Sequence, residues 1–162
     1  IPYFLLRGQV QWEGHGAIGT IGWKQPINVY IYNKNYSQLW YCSTFTDITG
    51  SFICYVRTAL ILPVDVRVWN GHVISVIKEV KGNPATVDFG VLFAGDTNSD
   101  DIISDIDFII YDMTVGSVCT PACSYGCFTC FLSADANGDG KVSEDDLFLM
   151  IKNKGLRGPI RR

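Results

Sequence analysis

Asp135–Asp146 read DANGDGKVSEDD, and this stretch decides how the rest of the chain is read. Counting from Asp135, oxygen-bearing side chains stand at positions 1, 3, 5 and 12 (Asp135, Asn137, Asp139, Asp146), with Gly140 at position 6 and the apolar Val142 at position 8. Ca²⁺ takes six to eight hard oxygen ligands, so a short loop holding it must wrap one point and offer oxygen from alternate residues. Gly140 supplies the left-handed turn that closes the wrap. Lys141 would add its backbone carbonyl, and Ser143 a hydroxyl or a bound water.

The spacing is that of an EF-hand-type loop, and it occurs twice. Upstream, DTNSDDIISDID places Asp96, Asn98, Asp100 and Asp107 at positions 1, 3, 5 and 12, with Ile102 as the carbonyl donor and Ser104 matching Ser143. The departure is Asp101 where Gly is preferred. Asp tolerates positive φ, so the loop is expected to close with some loss of affinity. Two bound Ca²⁺ ions are therefore expected, and this half of the chain is correspondingly acidic: residues 96–162 hold eleven acids against six Lys or Arg, whereas residues 1–95 hold five against seven.

A full EF-hand has a helix on each side, yet the residues before Asp96 (TVDFGVLFAG) and before Asp135 (CSYGCFTCFLSA) lack helical spacing. Only the exiting helices carry the pattern. Ile106, Ile109, Ile110 and Met113 fall at i, i+3, i+4 and i+7, with Ser104 and Asp107 spaced as a capping box and Gly116 as a stop; Leu147, Met150 and Ile151 repeat this between Ser143 and Gly155. Two loop-plus-helix units in tandem, with Asp at position 12, resemble a dockerin module over residues 95–158. In cellulosomal dockerins partner choice lies just after the loop core and along the helix. The resemblance carries that role to Asp105, Ile106, Asp112 and Met113, then to Glu144, Asp145, Ile151 and Lys152. The two sets do not match each other, and they lack the small hydroxyl pair often found there.

The first half reads as β-structure. Runs at 9–12, 27–32, 39–45, 51–56, 64–69, 72–80 and 86–92 are rich in β-branched and aromatic residues, and Ile27, Val29 and Ile31 alternate with Asn28, Tyr30 and Tyr32. Seven short strands indicate a sandwich. TFTDITGSFICYV followed by LPVDVRVWNG resembles the transthyretin-like or carboxypeptidase-regulatory sandwiches, which are usually noncatalytic. The expected fold is mainly β with a small α part: a seven-stranded immunoglobulin- or transthyretin-like β-sandwich (1–93), then a dockerin-like pair of calcium loop–helix units (94–162) with a Cys-rich insertion at 117–132. TVDFGVLFAGD runs into the first loop without a flexible linker, so the two parts are expected to pack as one rigid unit.

Six cysteines in a short chain favour an oxidising, extracellular setting. Cys42 and Cys54 sit on neighbouring strand-like runs and form the simplest pair. Cys119, Cys123, Cys127 and Cys130 allow three connectivities, between which sequence does not choose, and a zinc site is a rival for them. Asn35-Tyr36-Ser37 is a glycosylation sequon. No run of 18 apolar residues exists to span a membrane, and the chain starts at Ile1 without Met, so any signal peptide is expected to have been removed or left out.

Enzymatic activity is not expected. The two histidines, His15 and His72, stand in no motif with a nucleophile, and GHGAIG (14–19) is followed by TIGWKQP, which cannot open a phosphate-binding helix, so it reads as a surface loop. No basic patch accompanies the aromatic residues, which argues against nucleic acid as a partner. Trp12, Trp23, Trp40 and Trp69 leave a sugar-binding face as a rival, to be recognised by three coplanar exposed rings. The apolar run Ile1, Pro2, Tyr3, Phe4, Leu5, Leu6 is an extra strand of its own sandwich or a donor strand for a neighbouring subunit. A head-to-tail contact that does not close makes a filament. On this basis the whole resembles protomers of extracellular glycofibrils: a glycosylated, calcium-stabilised structural protein whose partners are copies of itself in a helical fibril. The alternative is a dockerin-like adaptor that docks a carbohydrate-active assembly through cohesin-type binding.

Overall fold

The computed structural model describes residues 4–19, 21–35, 37–118 and 133–159. The chain is mainly β with two short helices, and two sheets form a sandwich. Strands β1 (Phe4–Trp12), β4 (Ser51–Val56) and β7 (Ala85–Leu92) make one sheet in the order β4-β1-β7, while β2 (Pro26–Tyr32), β3 (Gln38–Phe45), β5 (Val64–Trp69) and β6 (Val76–Val80) make the other in the order β3-β2-β5-β6. All pairings are antiparallel except β1 with β7.

Period-two alternation explains why these runs are strands. On β2 Ile27, Val29 and Ile31 are buried, and on β5 Val64, Val66 and Val68 are. Both sets face Leu6, Val10, Phe52, Val56, Phe89 and Leu92 of the opposite sheet in one core cluster. Cys42 of β3 and Cys54 of β4 are disulfide-bonded, which ties an edge strand of one sheet to an edge strand of the other. Closing a chain segment of this length is worth about 3 kcal/mol on the loop-entropy account. The quartet Cys119, Cys123, Cys127 and Cys130 lies outside the described residues, as do Ile1, Pro2 and Tyr3.

The expectation of a donated N-terminal strand is corrected at Phe4, Leu5 and Leu6. These residues open β1, where Phe4 pairs with Val56, Leu5 with Tyr55 and Leu6 with Cys54, and Leu6 also pairs with Ala85. Phe4 and Leu6 are 2% and 0% exposed in their own sandwich. An apolar run gains the same burial at home as in a neighbour without the entropy cost of association, so the internal site wins. The tryptophans follow the same logic: Trp12 and Trp23 are buried, and Trp40 and Trp69 pack against the core, so they make no exposed stacking platform.

Helices α1 (Asp105–Thr114) and α2 (Glu144–Asn153) follow the sandwich. Ala136 and Leu149 join the sandwich core, while Tyr111, Val142 and Met150 form a smaller core with Ala134. The two parts are thus packed together, as the missing linker suggested. Among the described residues no helix is long and apolar enough to cross a membrane.

Candidate metal centre and helix face

Each loop is organised by its first and last carboxylates. Asp96 Oδ1 accepts the Asp100 amide at 3.0 Å and its Oδ2 the Asp101 amide at 2.9 Å. Asp135 does the same for Asp139 at 3.1 Å and Gly140 at 2.8 Å. At position 12, Asp107 Oδ1 accepts amides from Thr97 at 2.8 Å and Asn98 at 3.2 Å, and its Oδ2 takes the Ser104 amide at 2.7 Å. Asp146 accepts from Asn137 at 3.0 Å and Ser143 at 2.7 Å. The same bonds close the helix N-termini, because Ser104 and Ser143 are the N-caps and the position-12 acids complete capping boxes.

The repeat extends to the tails. Gly116 and Ser117, after α1, bracket Val142 of the second loop, with the Gly116 amide donating to the Val142 carbonyl at 2.8 Å and the Val142 amide to the Ser117 carbonyl at 2.9 Å. Gly155 and Leu156, after α2, bracket Ile103 of the first loop in the same way at 2.8 and 3.0 Å. Each unit therefore clasps the other's loop. Lys141 and Ile102, the expected carbonyl donors, lie in bridges to Val118 and Arg157.

Asp96, Asp107 and Asp146 are wholly buried, whereas Asp100 and Asp139 are exposed and Asn98, Ser104, Asp135, Asn137 and Ser143 are intermediate. Burial first, and then the neighbouring charges of Asp107 and Asp100, push the Asp96 carboxyl up to about 7 against the pull of its backbone amides. Burial and the charges of Asp146 and Asp139 push Asp135 up to about 6. Burial and like-charged neighbours disfavour the ionised form, which a proton or a bound cation would relieve. Among the described residues no three His, Cys, Asp or Glu side chains converge as a ready metal cluster, because the loop carboxylates face backbone amides. The donor set nevertheless fits a hard cation: Asp, Asn, Asp and Asp plus one backbone carbonyl in each loop is all oxygen. Asp96, Asn98, Asp100, Ile102, Ser104 and Asp107 would hold one Ca²⁺, and Asp135, Asn137, Asp139, Lys141, Ser143 and Asp146 the other.

Position 6 behaves differently in the two loops. Gly140 has φ 87°, and Asp101 takes the left-handed conformation at φ 65°. The Asp101 side chain is spent on the sandwich, accepting from Arg67 Nη2 at 3.0 Å and from the Ser75 amide and hydroxyl at 2.7 Å each. The second loop is held by the segment after β1, where His15 packs on Gly138 and Gly14 on Leu149 and Asn137. Glu13 bonds Lys152 and Asn153 of α2, and accepts the Ala94 amide at 3.1 Å. GHGAIG is thus a buttress as well as a surface loop. Glu13, Arg67 and Ser75 carried no sequence signal, since their partners lie tens of residues away.

The apolar stripes of the two helices face outward, and they include Ile106, Met113 and Ile151, to which the resemblance carried partner choice. Ile106, Ile109 and Met113 are 55%, 58% and 80% exposed, and on α2 Phe148 and Ile151 are 77% and 59% exposed. The buried face of α1 is Asp107 and Tyr111, with the Tyr111 hydroxyl donating to the Ser143 carbonyl at 3.0 Å. Asp105, Asp112, Glu144, Asp145 and Lys152 are exposed beside the stripes. Asn35 is exposed in the β2–β3 turn, and Tyr36 of its sequon lies outside the described residues.

No protein-family model matches the chain, and no curated protein does. Among solved structures it is similar to a chain of a type II cohesin–X-dockerin complex from Acetivibrio cellulolyticus mutated at its C-terminal interface. The TM-score is 0.64 at 16% identity, covering 96% of this chain and 97% of that one. The N-terminal interface mutant of the same complex gives 0.63 at 15% identity, with the same shares covered. These likenesses, at low identity, extend over the sandwich and the loop–helix units together. They run against the expected partner: the solved neighbours are complexes of unlike modules, not copies of one chain in a helical fibril.

Proposed function

We propose that this chain is a noncatalytic, extracellular recognition module of a cohesin–dockerin type of pairing, in which two Ca²⁺-organised loop–helix units present the binding face. The observation that carries this reading is the pair of exposed apolar stripes, Ile106, Ile109 and Met113 on α1 with Phe148 and Ile151 on α2. Large apolar side chains left in water on adjacent helices mark a protein-binding surface, and charged residues rim this one. Calcium acts by fixing how the helices start and not by chemistry. The Cys42–Cys54 disulfide supports an oxidising compartment. His15 and His72 serve structure: the His15 ring rests on Gly138 with Nδ1 bonded to the Gly22 carbonyl, and burial lowers both their pKa values.

The test is titration of the full chain, in about 1 mM calcium, with a type II cohesin module and separately with a dockerin module. Saturable cohesin binding is expected, weakened about 30- to 1000-fold by Met113→Glu or Phe148→Glu, since a charge placed in an apolar hot spot costs roughly 2–4 kcal/mol. Binding of the dockerin alone would reverse the assignment of halves. Binding of neither would overturn the reading.

A further inference from the structure

The two loops differ at both positions that take positive φ. Ser99 (φ 64°) and Asp101 (φ 65°) stand where the second loop has Gly138 (φ 70°) and Gly140 (φ 87°). A side chain persists in this conformation where its surroundings fix it. In the first loop the fixing groups come from the sandwich. Ser99 Oγ donates to the Gly71 carbonyl at 2.5 Å, and Asp101 accepts from Ser75 and from Arg67 of β5. The Asp101 amide in turn donates to Asp96 Oδ2, the first ligand position, at 2.9 Å. Arg67 and Asp101 are 11% and 17% exposed at their side chains, so solvent screens the pair weakly. The Arg67 guanidinium lies 5.0 Å over the Trp69 ring, which further fixes its direction.

We propose that Arg67 is a positioning residue for the first metal site: acting through Asp101, it holds Asp96–Asp107 in the ion-binding conformation, so that this site's affinity depends on the sandwich. The second loop, with glycine at both positions, needs no side-chain hydrogen bonds to hold its positive-φ residues, although it too packs on the segment after β1. The inference rests on the calcium reading given above. Coupling between two parts is reciprocal, so filling the first loop stabilises its seat on the sandwich by the same factor.

The experiment is calorimetric titration of the full chain with Ca²⁺ alone, with Asp139→Ala used to identify the transition of the second loop. Arg67→Met keeps the stem and removes the ion pair. It is expected to weaken the first site about 10- to 100-fold, within the usual range of intramolecular coupling, while the second site holds steady and reports that the chain is folded. In an Asp101→Gly background the anchor is already gone and the strain with it, so Arg67→Met is expected to have no further effect. Unchanged affinity at both sites, equal weakening of both, or an undiminished effect in the Asp101→Gly background would each overturn the proposal. Absence of saturable calcium binding by the unaltered chain would overturn the calcium reading itself, and the proposal with it.

Discussion

Asp107→Ala is expected to destabilise the protein by about 2–4 kcal/mol, chiefly through the buried donors it leaves without an acceptor. The carboxylate is 0% exposed and gathers the Thr97 amide and hydroxyl, the Asn98 amide and the Ser104 amide around two oxygens. Alanine leaves these donors without an acceptor, at roughly 1–3 kcal/mol for each one that water cannot reach. It also undoes the capping box of α1. Urea unfolding in chelator isolates this structural loss. In calcium the gap between the unaltered and altered chains is expected to widen, because only the former gains from ligand at the first loop. Asp107→Asn keeps one acceptor oxygen and is expected to lose less. A loss below about 1 kcal/mol, the median for a point substitution, would mean that the helix start does not depend on this residue.

The second large effect lies at Leu6. It is 0% exposed between Cys54 and Ala85 in the central strand of the three-stranded sheet, so Leu6→Ala removes three buried carbons and leaves a cavity, at about 2–5 kcal/mol. Thermal unfolding measures this. The loss should be independent of protein concentration, since the strand completes its own sandwich; a midpoint that rises with concentration would contradict that placement.

Much of this architecture was legible. All seven β-runs are strands, and five of the seven begin and end within one residue of the expected bounds because turns and alternation bracket them: β2, β3, β4, β5 and β7. The Cys42–Cys54 pair and the positive φ of Asp101 also follow from local chemistry. What local pattern could not supply was direction. Ile106, Ile109 and Met113 have the spacing of a core stripe, yet Asp107 and Tyr111 are buried instead. A carboxylate can occupy an interior where several amides converge on it, and spacing does not reveal such convergence. Likewise Phe4–Leu6 read equally well as a strand kept or a strand donated, and the deciding partner, β7, is some eighty residues away. Two of the contacts between the two parts, Arg67 with Asp101 and Glu13 with Asn153, are long-range polar contacts that no motif announces.

In the proposed function, calcium organises two loop–helix units which then offer their apolar faces to a partner. Hydrogen exchange of the full chain with and without chelator tests it most directly. Chelation is expected to raise exchange across Asp96–Thr114 and Asp135–Asn153 while the amides of β2 and β5 stay protected. Identical protection of both helices in calcium and in chelator would contradict it.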